Sequence, residues 1–368
     1  MSTPRVVHLT TVHSPFDPRI FWKEAVSLAE AGYDVYMVAQ HTHVETVKGV
    51  HVVPLTPLRG RYRRIMLQRE AYATSRALNA TVYHFHDPEL IPLAYALKKA
   101  TGAFIIYDMH EDYRWHGTVE GRVIRAMERW CFQWVDHVIL AEESYSPIIP
   151  NETPSTTILN YFHSVSTAPS TLQTPDTSLR LLYAGVVAGD RGLFHMLDLA
   201  KAIHKQGLPW TITVAGICHL ARDREHAEHR IREEQLVPVV RRDGWHSYLC
   251  WPQMEPYFRT ADVGLALFNA HPNMMKSMPT KFYEYMHYGL PILCSDFPLW
   301  RTFIERHACG AVVDPGNPDA ILDILKSWVA DPRVYQALSQ AALQAAPDYR
   351  WELMEKRLLG VYERLLNL

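Results

Sequence analysis

At 368 residues the chain is long for a single hydrophobic core, and such a length predicts two or three domains. Hydrophobic residues at 48% and charged residues at 21% describe an ordinary globular protein, and a formal net charge of -2 argues against a general nucleic-acid binder. Five cysteines (Cys131, Cys218, Cys250, Cys294 and Cys309) without a CxxC spacing exclude a disulfide frame or zinc ribbon and read as reduced packing residues of a cytosolic protein.

In chain order, Met1–Arg5 lacks the apolar core of a signal peptide, and no apolar run is long enough to span a bilayer. Arg5–Thr10 predicts a strand. Asp17 then caps a helix with Pro18 at its first position, running through Phe21, Trp22, Ala25, Val26 and Leu28 to Gly32. Val35–Ala39 and His51–Leu55 predict strands. Between the next helix and the preceding loop, Arg59–Arg69 mixes arginines with apolar residues, a pattern that suits either an anionic membrane face or a solvated basic helix. Thr81–His86 is a strand leading into Asp87-Pro88, a second aspartate-capped helix that ends at Gly102. Ala103–Asp108 is a strand, Val123–Trp134 a long helix, and Val138–Ala141 a strand. Strands alternating with helices predict a parallel sheet covered on both faces.

Between Thr153 and Ser178 the composition turns to Ser, Thr and Pro, which marks an inter-domain linker. The α/β pattern restarts with the strand Leu179–Gly185. Strands Thr211–Ala215, Val263–Leu267 and Pro291–Cys294 follow, then helices 320–330, 334–345 and 351–368. The expected architecture is α/β, two doubly wound domains facing across a cleft. Their ligands should lie beyond the carboxyl ends of the strands.

Three places there could carry chemistry. After Gly185, the loop Val186–Leu193 is glycine-rich and contains Arg191. Glycines allow close backbone approach, the following helix offers N–H groups, and an arginine fork suits phosphate; the same pattern also serves as a plain turn. Secondly, Pro279–Asp296 reads as a proline-started helix stopped by Gly289 and followed by a buried strand. Lys281 and Glu284 share a face near its start. They form either a surface salt bridge, or a phosphate contact (Lys281) beside a carboxylate that accepts from two ribose hydroxyls (Glu284). Thirdly, Tyr107–Asp112 leaves a strand with His110, Glu111 and Asp112, although His110 is one of 20 histidines. His84, His86, Asp87 and Glu89 also cluster; Asp87 reads as a helix cap, and a metal site there is the minority reading. No DxD pair is present.

Taken in this order, His13–Glu24, His86–Leu90, Tyr107–Glu111, Arg191–Leu193 and Pro279–Asp296 resemble the family 4 glycosyltransferases, retaining sugar-nucleotide enzymes of the GT-B fold. The resemblance implies an N-terminal acceptor-side Rossmann-like domain over 1–165, a linker over 166–178 and a nucleotide-sugar-binding domain over 179–345. A C-terminal helix, 346–368, returns to the first domain. It implies catalytic roles for His110, Arg191 and Lys281, and donor binding by Gly185, Arg191, Lys281, Glu284, Ser277 and Thr280. His13, Asp17, Arg19 and Glu111 become acceptor-side candidates. Glu284 matches the second glutamate of the family's EX7E motif, whereas Lys276 stands where the first is usual, and the loop Thr11–Ser14 lacks the family's glycine pair.

The implied reaction moves a sugar from a nucleotide-diphosphate sugar to a saccharide or lipid-linked acceptor, as in bacterial surface polysaccharide synthesis, with no metal and no further cofactor. The expected setting is cytoplasmic, at the inner membrane face, with peripheral contact through Arg59–Arg69 and no nucleic-acid partner. A sugar-nucleotide 2-epimerase of the same fold and a non-catalytic nucleotide-sugar-binding subunit are the alternatives.

Overall fold

The computed structural model describes residues 3–57, 64–113, 118–163 and 177–367. Most of the expected linker, and Arg59, Arg61 and Arg63 of the basic segment, lie outside them. The chain divides into two compact units, 1–163 with 351–368, and 164–350.

Among the described residues the first unit holds eight strands: β1 (Arg5–Leu9), β2 (Asp34–Gln40), β3 (Glu45–Val47), β4 (Val50–Leu55), β5 (Val82–Phe85), β6 (Phe104–Met109), β7 (His137–Leu140) and β8 (Ser155–Thr157). Their order is β3-β4-β2-β1-β5-β6-β7-β8. All pairs are parallel except β3 with β4. That antiparallel edge departs from the all-parallel expectation. It is a hairpin in which Lys48 (φ 52°) and Gly49 (φ 80°) occupy the two positive-φ positions of a tight turn. The chain runs outward from β1 in one direction and from β5 in the other, so the topological switch falls between β1 and β5.

Strand alternation sends side chains to two cores. Val7, Leu9, Tyr83, Phe85, Ile105 and Tyr107 enter one. Val6, Val82 and Ile106 enter the other, covered by residues 20–30 and by the Trp351–Leu366 helix. The predicted helix after Asp17 is a π-helix over Ile20–Ala25 continued by an α-helix over Val26–Glu30. Asp17 does cap it, its Oδ1 accepting from the Arg19 and Ile20 amides at 2.8 and 3.0 Å. The π-turn rotates Trp22 outward to 43% exposure, where α-periodicity placed it in the core.

The second unit holds β9 (Arg180–Ala184), β10 (Thr211–Ala215), β11 (Val240–Asp243), β12 (Val263–Ala266), β13 (Ile292–Ser295) and β14 (Gly310–Val313). They form one parallel sheet ordered β11-β10-β9-β12-β13-β14, with its switch between β9 and β12. Four cysteines are buried, as packing residues should be; Cys250 is exposed. Among the described residues no helix is long and apolar enough to cross a membrane.

Candidate functional site

In the second unit, the candidate side chains gather at the β9/β12 switch. Gly185 (φ 123°) follows β9 and Gly216 (φ 130°) follows β10; a Cβ on Gly216 would lie 1.9 Å from the Gly185 carbonyl oxygen. The next loop turns into the Leu193–Lys205 helix at Gly192 (φ 85°), where a Cβ would lie 1.8 Å from the Leu267 carbonyl oxygen. Only glycine fits either place. The loop is pinned from outside: the Gly189 amide donates to Asp223 at 2.9 Å, and the Asn269 side chain donates to the Gly189 carbonyl at 2.9 Å.

The Thr280–His287 helix supplies the cation. It starts one residue later than expected, with Pro279 as its N-cap. Phe282, Tyr283, Tyr285 and Met286 bury its inner face, and the Tyr285 hydroxyl reaches the Leu182 and Leu265 carbonyls, both at 3.0 Å. Gly264 makes room, since a Cβ there would meet the Tyr285 ring at 2.3 Å.

Thus held, Lys281 is only 6% exposed. Its ammonium lies 4.7 Å from the Tyr183 ring centre and 4.8 Å from that of Phe268. Among the described residues it makes no hydrogen bond or ion pair within 4.0 Å, so the surface salt bridge with Glu284 does not form. Burial, then the charge of Arg191, lowers its pKa to about 7, with Glu284 opposing. Arg191, half-buried, acts on the same Tyr183, whose hydroxyl donates to the Val186 carbonyl at 2.5 Å. The set brings together two cations, glycine backbone and aromatic walls, a chemistry that suits an anion.

Glu284 is half-buried on the same helix, and Thr280 opens it. The Ser277 hydroxyl donates to the Asn273 carbonyl at 2.9 Å. Lys276 is exposed at the end of the short Pro272–Lys276 helix.

In the first unit, the β1/β5 switch organises a buried polar network. The Asp87 carboxylate is not the expected helix cap. It accepts from the Thr10 hydroxyl at 2.9 Å and from the Thr11 and Val12 amides at 2.5 and 3.2 Å, tying the loop after β1 to the end of β5. Glu89 accepts from the Thr11 hydroxyl at 3.0 Å. Asp87 and Glu89 therefore serve this loop and not a metal shared with His84 and His86.

Arg19, placed on the acceptor side by the resemblance, is 5% exposed and holds the interior together. Its guanidinium grips Asp108 at 3.1 and 3.2 Å and the Ile158 carbonyl at 2.8 Å, with Glu24 at 3.0 Å. Burial works against the Asp108 charge, but Arg19, His110 and His86 outweigh it and hold its pKa well below the usual range. Glu24 is pushed well above that range by burial and then by Asp108, with Arg19 opposing. The charged form is thus favoured at Asp108 and disfavoured at Glu24.

Asp108 in turn orients His110: its Oδ2 lies 2.9 Å from His110 Nε2, and His86 Nδ1 lies 3.2 Å from the same nitrogen. Behind them, His8 Nδ1 meets His86 Nε2 at 3.0 Å, and His84 Nδ1 meets the Tyr362 hydroxyl at 2.9 Å. Burial keeps His8, His84 and His86 neutral, the last with a pKa of about 4. His13 is half-buried, 3.4 Å from Asp87 and 3.7 Å from Asp17. Burial disfavours its charge, yet Asp17 and Asp87 raise its pKa. Glu111 is exposed.

Ligand atoms of His8, Glu24, His84 and His86 lie within 4.8 Å of one another, as do those of His86, Asp108 and His110. Arg19 already supplies the positive charge facing both carboxylates. Sequence reasoning missed Glu24, His8 and the supporting role of Asp108. The spacing of Asp108 and His110, two apart at a strand end, was the one available signal.

Residues 166–345 match the family described as Glycosyl transferases group 1, and residues 19–145 match the Glycosyl transferase 4-like domain. No curated protein matches the sequence. Among solved structures, the chain is similar to sucrose-phosphate synthase from Thermosynechococcus elongatus at 15% identity and a TM-score of 0.76, covering 100% of both chains. It is similar to Anabaena HepE in complex with UDP-glucose at 10% identity and a TM-score of 0.75, covering 98% of this chain and 99% of that one. WaaG, a glycosyltransferase involved in lipopolysaccharide biosynthesis, is similar at 13% identity and a TM-score of 0.69, with 96% and 98% covered. Identities this low speak for the fold alone.

Proposed function

Because this chain belongs to the GT-B glycosyltransferases, with group 1 and family 4-like segments, we propose that it moves a sugar from a nucleotide-diphosphate sugar to a hydroxyl of a saccharide or lipid-linked acceptor, with retention at the anomeric carbon. One observation carries the reading: Lys281 is only 6% exposed, with no anion within 4.0 Å of its ammonium among the described residues, beside Arg191 and Gly185 at the β9/β12 switch. Withdrawing a cation from water without an anion is costly, and a bound diphosphate would offset that cost. The UDP-glucose complex of the HepE neighbour supports a ligand of this class.

In this reading Arg191 and Lys281 hold the diphosphate, and the Gly185 backbone allows its close approach. Glu284 accepts from the ribose hydroxyls, and Ser277 and Thr280 add polar contacts. The bond between the anomeric carbon and the leaving diphosphate oxygen breaks. The acceptor oxygen bonds to that carbon from the same face, and its proton passes to the leaving oxygen. No metal, further cofactor or protein nucleophile enters, so catalysis is positioning and electrostatic support. In the first unit His110 takes the catalytic role that the resemblance implies, His13, Asp17 and Glu111 are the acceptor-side residues, and Arg19 positions His110 through Asp108. Polysaccharide or glycoconjugate synthesis at the cytoplasmic membrane face, with Arg59–Arg69 touching anionic lipid, completes the proposal.

A thermal-shift panel of UDP-, GDP-, ADP- and CMP-sugars tests it, because a ligand that binds the folded state raises apparent stability. One nucleotide class should raise the Tm of the wild type and leave Lys281→Met unmoved. If no nucleotide sugar shifts the wild type, the donor reading falls. Incubation of the responding donor, labelled in the sugar, then separates the chemistries, since an isomer of the donor without acceptor would establish the epimerase instead.

A further inference from the structure

Among the described residues, three groups of histidine and carboxylate side chains bring ligand atoms within 4.8 Å of one another, all in the first unit. Two of them, His8 with Glu24, His84 and His86, and His86 with Asp108 and His110, are buried or largely so. Arg19 stands 3.0 to 3.2 Å from the carboxylates of both and opposes any further cation there. The third group, His41, His43 and Glu45, lies at the corner between β2 and β3 and opens to solvent. His43 is 61% exposed, and His41 and Glu45 are half-buried. Among the described residues Glu45 pairs with no lysine or arginine within 4.0 Å; its partners are these two imidazoles.

The chain leaves β2 at Gln40, bends through Thr42 and His43, and enters β3 at Glu45. That corner brings three side chains to one point. His41 Nε2 lies 2.7 Å and His43 Nε2 3.3 Å from the same oxygen, Glu45 Oε1, and the two rings are 4.5 Å apart. Both rings are held from behind. The Thr42 hydroxyl lies 3.0 Å from His43 Nδ1, which leaves Nε2 for a ligand. The His41 amide donates to the Leu55 carbonyl at 3.1 Å, and the His41 ring meets that of Phe16 edge-on at 5.7 Å. A tetrahedral zinc ion with bonds of about 2.0–2.2 Å sets its ligand atoms roughly 3.3–3.6 Å apart. His43 and Glu45 already stand at that separation. His41 has to open by roughly half an ångström as the ion replaces the hydrogen-bonded proton.

We propose that His41 Nε2, His43 Nε2 and the Glu45 carboxylate bind a divalent transition-metal ion of the zinc class, with water at the fourth position on the exposed His43 side. Two imidazoles and one carboxylate suit zinc or cobalt, whereas magnesium and calcium take oxygen ligands. The ion is structural and takes no part in sugar transfer. It braces the β2–β3 corner against the loop after β1, which the Gln40 side chain already reaches by donating to the Thr11 carbonyl at 2.6 Å, and on which His41 packs through Phe16. The same loop carries His13 and Asp17. The site does not depend on the proposed reaction, and its residues are separate from those proposed to hold the donor.

Calorimetric titration of the chelator-treated full-length chain with Zn²⁺ tests it, with Mg²⁺ as the control. Zn²⁺ should bind the wild type saturably and raise its Tm, and Mg²⁺ should do neither. Co²⁺ should give the intense visible absorption of a tetrahedral site. His43→Ala and Glu45→Gln should each weaken Zn²⁺ binding by about tenfold or more and abolish the cobalt spectrum. In chelator both variants should melt like the wild type, and the donor-induced thermal shift should stay at its wild-type value. Zn²⁺ binding that either variant retains would place the ion on other histidines and overturn the proposal. The absence of saturable binding by the wild type overturns it as well, as does a weak octahedral cobalt spectrum, which marks an adventitious ion only.

Discussion

Lys281 shows how one side chain can be a cost to folding and, in the proposed reading, a holding point for a ligand. Its pKa falls from 10.5 to about 7, so between those values the unfolded chain holds the proton more tightly than the folded one. Stability should therefore rise as pH climbs from about 7 towards 10.5, and below 7 the full penalty of a buried charge is present. A bound diphosphate favours the ammonium, so donor binding above pH 7 takes up a proton. Its affinity should weaken by up to about tenfold per pH unit there. Titration calorimetry from pH 6.5 to 9 checks this, and Lys281→Met should bind weakly with a flat profile. Arg19 makes a different case. Arg19→Met would strand the Asp108 carboxylate in the interior, and we expect a loss of about 3–5 kcal/mol by urea denaturation. Arg19→Lys should rescue it only in part, because a lysine cannot grip both oxygens of Asp108. The sequence placed Lys281 and Glu284 on one helix face, but it gave no sign that Arg19 is buried, since a basic residue carries no mark of a partner 89 residues away.

At the scale of elements, glycines decide where backbone may touch backbone. Gly192→Ala would set a Cβ 1.8 Å from the Leu267 carbonyl oxygen in a positive-φ conformation, so the loop after β9 must move away from the end of β12. Gly207→Ala is the control: its φ is +63°, with nothing within 4 Å of the added carbon, and it should cost about 1 kcal/mol from the backbone alone. Gly192→Ala should cost more than that control, and it should also weaken the donor-induced thermal shift, which Gly207→Ala should leave intact. Equal melting temperatures for the two variants would refute the close-approach argument. The π-helix over Ile20–Ala25 is the element-scale feature no pattern announced. Its i to i+5 bond from the Glu24 amide to the Arg19 carbonyl, 3.0 Å long, belongs to the same segment that brings both side chains to Asp108.

For the whole molecule, the last helix is the connection that chain order hides. Trp351, Met354, Leu358, Val361 and Tyr362 are buried in the first unit, although the preceding 187 residues belong to the second. The Trp351 amide donates to Phe162 at 2.8 Å, its indole to Ser27 at 2.9 Å, and Tyr362 meets His84. At roughly 1.5–3 kcal/mol per large apolar side chain, an upper bound, their burial contributes on the order of 10 kcal/mol. That is comparable to the whole stability of a typical domain. A chain ending at Arg350 should lose the cooperative melting transition of residues 1–163 and expose them to protease while the second unit still melts. Calorimetry with limited proteolysis checks this, and two intact transitions would show the helix to be dispensable.

The sequence by itself determined the alternating strands and helices, the residues at strand ends, and the proline- and glycine-marked helix that carries Lys281 and Glu284. These are local signals: side-chain periodicity, backbone freedom at glycine and the rigid φ of proline. Short or polar strands such as β3, β8 and β11 escaped because their few residues carry no periodicity to read. Tertiary structure alone decided that Lys281 is buried without an anion among the described residues, that Asp87 ties a distant loop instead of capping its helix, and that Arg19, Asp108 and His110 form one chain of contacts. Each of these depends on what lies opposite in space. A charge acquires its meaning from burial and partners, and both are set by strand order rather than by neighbours in the chain.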